Sequence, residues 1–200
     1  MARIGPPARP GQRVGLLGGS FDPAHSGHLH VSLLAMKALR LDRVWWLVSP
    51  GNPLKPDAPA GVGRRIAAAR ALVRDRRVVV TDLEARIGTR HTAAMLVEVR
   101  RRYPGVRFVW LMGSDNLAGF HRWDRWRSIL AMVPVAVLAR PGEQLRAGLS
   151  PTARAYARWR VPQRSAAALA DMRPPAWTLI VGPMTDASST ELRASGRWSR

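Results

Sequence analysis

Cysteine is missing from all 200 residues. That excludes disulfides and thiolate metal sites, and it suits a reducing compartment. Lysine is almost missing too. Lys37 and Lys55 stand alone among 32 basic residues, and the rest are arginine. Acidic side chains number only 13, which leaves a formal net charge of +19. No apolar run approaches the ~20 residues of a membrane-spanning helix. The opening MARIGPPARPGQR contains no apolar leader segment. These absences imply a cytoplasmic protein with no membrane partner.

The arginines are scattered over nearly every segment and form no dense tract. That spread favours solvated faces over a nucleic-acid groove, so no specific nucleic acid is expected. A positive field would still draw in anionic substrates such as nucleotides. The length suits one domain. Residues 1–12 read as a flexible lead-in and 13–200 as a single domain. Nothing in the pattern excludes a homo-oligomer.

Six short runs are nearly continuous in Val, Ile, Leu and Trp: 13–19, 43–48, 77–82, 106–113, 133–140 and 176–182. Such runs suit strands covered on both faces, as in a parallel sheet. Helical stretches fall between them, at Gly27–Leu39, Arg64–Arg74, Thr92–Arg102, Asp124–Leu130, Thr152–Trp159 and Ser165–Ala170. A last helix starts in the SST of 188–190 and runs to about Ala194. This alternation predicts an α/β fold, a Rossmann-like doubly wound parallel sheet in three α/β/α layers. The proline-rich piece 49–61 reads as a loop. The stretch 141–175 is polar and weakly patterned, and it reads as an insertion near the domain edge.

The chemistry concentrates after the first strand, in GGSFDPAHSGHLH (18–30). Ligands of open parallel sheets sit beyond the carboxyl ends of strands. Gly18 and Gly19 allow a ligand close to the backbone. A helix opening near Ser26–Gly27 directs free amides and its positive end at the same space. His25 and His28 are three apart and share a side. Such a pair makes a phosphate clamp. His30 points elsewhere and reads as a packing or surface residue. No protein-ligated metal is expected, because Asp22 is the only carboxylate nearby.

This stretch resembles the signature G-[GS]-[ST]-F-D-P-x-H-x-G-H of the nucleotidylyltransferase superfamily. The tail ASSTELR (187–193) is similar to that family's second signature, S-S-T-x-[IL]-R. Class I aminoacyl-tRNA synthetases carry a related HIGH element, but their KMSKS-like loop is missing here. Between the two signatures the chain looks like the nicotinate-nucleotide adenylyltransferase branch. The resemblance implies transfer of AMP from ATP to nicotinate mononucleotide, giving deamido-NAD and pyrophosphate. It implies His25, His28 and Arg193 as the catalytic groups. Gly18, Gly19, Ser20, Phe21, Ser189 and Thr190 would join them in holding ATP, with Mg²⁺ carried on the phosphates and waters.

For the mononucleotide the resemblance implies Asn52 and Lys55 of SPGNPLKP, Thr92, Gly113, Asp115 and Trp123. Asp115 would meet ribose hydroxyls, and Trp123 would stack on the electron-poor pyridine ring. Three positions depart from the family run: His91 stands for Tyr, Ala94 for Asp and Met95 for Thr. Three other readings share or compete with this one. They are a different phosphorylated acceptor (nicotinamide mononucleotide or pantetheine phosphate), a basic nucleic-acid-binding protein, and a relative that senses nucleotides without turnover.

Overall fold

The computed structural model of the chain describes residues 5–51, 58–139, 147–182, 189–196 and 198. The elements run β1 (Arg13–Gly19), α1 (Ser26–Leu39), β2 (Arg43–Val48), α2 (Val62–Leu72), β3 (Val78–Thr81), α3 (Leu83–Ile87), α4 (Thr92–Arg102) and β4 (Arg107–Gly113). They continue with α5 (Ser114–Gly119), α6 (Trp126–Met132), β5 (Val135–Ala139), α7 (Pro151–Ala155), β6 (Arg160–Val161), β7 (Trp177–Val181) and α8 (Ser189–Ala194). Short 3₁₀ turns occupy Phe120–Arg122, Ala157–Trp159 and Gln163–Asp171.

The strands form one seven-stranded sheet in the order β3-β2-β1-β4-β5-β7-β6, and every pairing described is parallel. The expected doubly wound α/β fold is present. Its strand order reverses direction between β1 and β4, which is where such sheets open a crevice.

The continuous apolar runs have a direct structural reason. Along β2, Trp45 and Leu47 enter one core while Val44, Trp46 and Val48 enter the other. Along β4, Phe108, Trp110 and Met112 face the first core, and Val109 and Leu111 the second. Helices α4 and α6 cover the first face through Leu96, Val99, Ile129 and Leu130. Helices α1 and α2 cover the second through Met36, Leu39, Ile66 and Ala69. With both faces buried, neither can alternate with polar residues.

Four expectations change in detail. The described part of the stretch 141–175, residues 147–175, lies toward the sheet edge but is woven into the fold. Its β6 pairs with β7, and Ala166 and Leu169 enter the second core. The helix expected at Asp124–Leu130 starts two residues later, because Arg125 turns with a φ of 48°. The stretch Thr152–Trp159 divides into α7 and a 3₁₀ turn. Residues 5–12 of the expected lead-in have partners. Pro6 is buried, Gly11 N donates to Gly105 O at 2.8 Å, and Arg107 N donates to Gln12 O at 2.8 Å. At the amino ends of the strands, Arg13 and Arg107 lie opposite each other in register. Asp171 separates their charges, accepting from them at 2.6 and 2.5 Å.

Candidate active site

The site is built at the carboxyl ends of β1, β2 and β4. Gly18 closes β1 against a wall of indole: a Cβ there would lie 2.6 Å from Trp110 Cη2. Only glycine fits without moving the ring. After Gly19 and Ser20 the backbone turns through Phe21 at a φ of 48°, a conformation costly for a bulky residue. The ring of Phe21 offsets that strain. It is 2% exposed and stacks on Trp46 with centroids 5.0 Å apart and planes 16° from parallel.

The turn delivers the chain to His25, the residue that caps α1. Caps are usually Ser, Thr, Asp or Asn. Here His25 Nδ1 accepts from Gly27 N at 3.2 Å, and His28 Nδ1 accepts from His25 N at 3.2 Å. The two imidazoles form a reciprocal capping box. An accepting Nδ1 carries no proton, so the hydrogen of each neutral ring sits on Nε2. The cap therefore selects the tautomer whose Nε2–H is a donor on the far side of the ring. The rings lie 3.9 Å apart, and His28 also packs 4.7 Å from Phe21.

Residues from the far end of the chain reach this same loop. Ser189 Oγ donates to Pro23 O at 2.9 Å, and Arg193 Nη1 donates to Asp22 O at 2.5 Å. Arg193 Nη2 also donates to Thr190 Oγ1 at 3.2 Å, so the guanidinium is braced from both segments. Trp198 Nε1 donates to the Asp22 carboxylate at 2.7 Å, and Arg64 lies over the Trp198 ring at 4.5 Å. The structure thus brings together Gly18, Gly19, Ser20, Phe21, His25, His28, Ser189, Thr190 and Arg193.

The other half lies across the switch point. Gly113 ends β4 beside β1, and a Cβ there would collide with Asp115 Oδ1. Glycine is needed for that carboxylate to fold back over the strand end. Trp123 is half-buried, held edge-on by Phe120 at 5.1 Å and by Trp110 at 6.3 Å. Thr92 opens α4, and its neighbour His91 approaches Asp124 at 4.0 Å, so α4 begins beside the Trp123 turn. Trp110 links the halves, touching both Gly18 and Trp123. Asn52 and Lys55 lie outside the described residues.

Two buried ionisable groups behind this surface were not singled out from the sequence. Arg65 is fully buried and holds the loops from below. Burial lowers its pKa, and the nearby Asp22 charge opposes that shift. Glu84 is 5% exposed, and burial pushes its carboxyl up to about 7 against a hydrogen bond from Ser49. Two adjacent arginines at the start of α2, where the helix dipole disfavours cations, were the available signal for Arg65.

Residues 16–195 match the family model described as Cytidylyltransferase-like. A Cereibacter sphaeroides protein named "Probable nicotinate-nucleotide adenylyltransferase" is 66% identical over 185 residues, covering 92% of this chain and 98% of the relative. The chain belongs to the nicotinate-nucleotide adenylyltransferases of the cytidylyltransferase-like family. A Ruegeria pomeroyi adenylyltransferase of the same name is 57% identical over 194 residues, covering 97% of this chain and 91% of its own. Among solved structures, nicotinic acid mononucleotide adenylyltransferase from Plasmodium falciparum matches with a TM-score of 0.68 at 16% identity, over 92% of this chain and 83% of that one. That enzyme has been solved complexed with NaAD and, separately, with APC. At this identity the match speaks for the fold of the adenylyltransferase and leaves its side chains to be argued from their own geometry. No helix among the described residues is long and apolar enough to cross a membrane.

Proposed function

We propose that this chain joins nicotinate mononucleotide to the AMP part of ATP, releasing pyrophosphate and forming deamido-NAD. The observation that carries the reading is the seam at residues 22–23. There Arg193 and Ser189 are fastened to the loop that ends in the His25–His28 pair. Donors from both ends of the chain then face one polyphosphate.

The nucleophile is the mononucleotide's own phosphate oxygen, already ionised, and it attacks the α-phosphorus as pyrophosphate leaves. The protein supplies alignment and charge stabilisation rather than a covalent nucleophile. His25 and His28 donate from Nε2 to phosphate oxygens, and Arg193 neutralises the leaving pyrophosphate with its planar fork. The Gly18–Phe21 backbone, Ser189 and Thr190 cradle ATP. Thr92, Gly113, Asp115 and Trp123 receive the mononucleotide, with Trp123 stacking on the pyridine ring, and the family resemblance assigns Asn52 and Lys55 to the same substrate. Mg²⁺ carried by the phosphates and waters would supply further charge neutralisation. The donor set fits a cation held by phosphate and water, since the one carboxylate of the loop, Asp22, is already engaged by Trp198 and Ala60.

A pyrophosphate-release assay with nicotinate mononucleotide, nicotinamide mononucleotide and pantetheine phosphate tests the reading. Release with the nicotinate compound well above the other two is expected. No release with it, or greater release with another acceptor, overturns the assignment.

A further inference from the structure

We propose that Arg65 is a positioning residue that couples the two substrate loops, so that a nucleotide bound at one orders the other. The inference rests on the reading above. Arg65 is fully buried, yet its hydrogen bonds run to backbone carbonyls rather than to a carboxylate. Nε donates to Ala60 O at 2.6 Å, Nη1 to Ser20 O at 2.5 Å and Ser49 O at 2.8 Å, and Nη2 to Pro50 O at 3.5 Å. Ser20 belongs to the ATP loop after β1. Ser49 and Pro50 begin the loop after β2 that leads to Asn52 and Lys55.

A single nitrogen, Nη1, is therefore shared by both loops. A shift of either carbonyl moves the guanidinium and so the other loop. Asp22 extends the connection, because its charge acts on Arg65 while its carbonyl holds Arg193. A buried cation is a poor choice for stability alone, where an apolar side chain of similar volume often does as well. A rigid planar fork that spans four carbonyls is what geometry requires. Lysine keeps the charge but gathers its donors on one atom, so it cannot span them.

Arg65→Lys should raise KM for ATP and for nicotinate mononucleotide together, each by at least fivefold. The kcat/KM should fall on the order of 10²-fold, the scale of a small misplacement in a positioned reaction. Arg70→Gln, exposed on the same helix, should leave both constants unchanged. Wild-type kinetics in Arg65→Lys, or a rise confined to one substrate, overturns the proposal. Hydrogen exchange tests it when wild type is compared with Arg65→Lys, because Ser49 N also donates directly to Gly19 O at 3.0 Å and that link must be told apart from the one through Arg65. In wild type, ATP alone should slow exchange at Ser49 and Gly51, and nicotinate mononucleotide alone should slow it at 18–22. Lack of either cross-protection in wild type, or its persistence in Arg65→Lys, overturns the coupling. Cross-protection in a chain that releases no pyrophosphate would refute the assigned reaction and leave the coupling standing.

Discussion

Replacing Glu84 by glutamine should make the protein more stable at alkaline pH while changing little in acid. The carboxyl is held at about 7 instead of its ordinary 4.5, mainly because burial penalises the charged form. Well below pH 4.5 it is neutral in both folded and unfolded chains, and at pH 4.5 the unfolded carboxyl is half ionised while the folded one is still neutral. Between 4.5 and about 7 only the unfolded chain ionises, so the folded state binds more protons and stability falls as pH rises. Above about 7 the folded carboxyl ionises as well and the full penalty is in place. Two and a half decades of proton equilibrium at ~1.4 kcal/mol each come to about 3 kcal/mol. Glutamine has the shape of the neutral carboxyl and carries no such penalty. Urea melts of wild type and Glu84→Gln at pH 4.5 and pH 8 measure the effect. Titration of the other carboxylates cancels in the difference. The gap should be near zero at the lower pH and about 3 kcal/mol in favour of Glu84→Gln at the higher. An equal gap at both, or one favouring wild type at pH 8, refutes the reasoning.

His28→Asn keeps an acceptor for the His25 amide but removes the donor at Nε2. It should lower kcat about 10²–10³-fold with near-native melting, and normal turnover would remove His28 from the chemistry. Trp123→Ala should raise KM for nicotinate mononucleotide well above any change for ATP, measured by pyrophosphate release; equal changes would count against ring stacking. Gly18→Ala places a methyl 2.6 Å from Trp110 Cη2. It should cost about 1–3 kcal/mol in a urea melt, and an unchanged midpoint would mean the indole moves freely.

The sheet was legible because double-sided burial leaves its mark on consecutive residues in the middle of each long strand. Trp45 and Trp46 are adjacent, yet each is fully buried in a different core. The elements that escaped notice are too short to carry a period. Helix α3 has five residues, α5 has six, and β6 has two. The candidate loop at 18–30 was legible because it is contiguous, with its glycines and histidines gathered just before a helix start. Arg65 was hidden among so many arginines, since burial and not residue type sets it apart. Glu84 was hidden because burial in the folded chain, opposed by a hydrogen bond from Ser49 at another strand end, sets its state, and residue type does not show burial.

The closing helix α8 has six residues and none of them is buried. Its described anchorage to the rest of the fold consists of polar bonds, chiefly Ser189 to Pro23 and Arg193 to Asp22. Segments with so little packing come loose at a small fraction of the free energy that melts a core. Warming should therefore silence turnover some degrees before circular dichroism registers any loss of helix. A bound triphosphate, by bridging the seam, should bring the two midpoints back together.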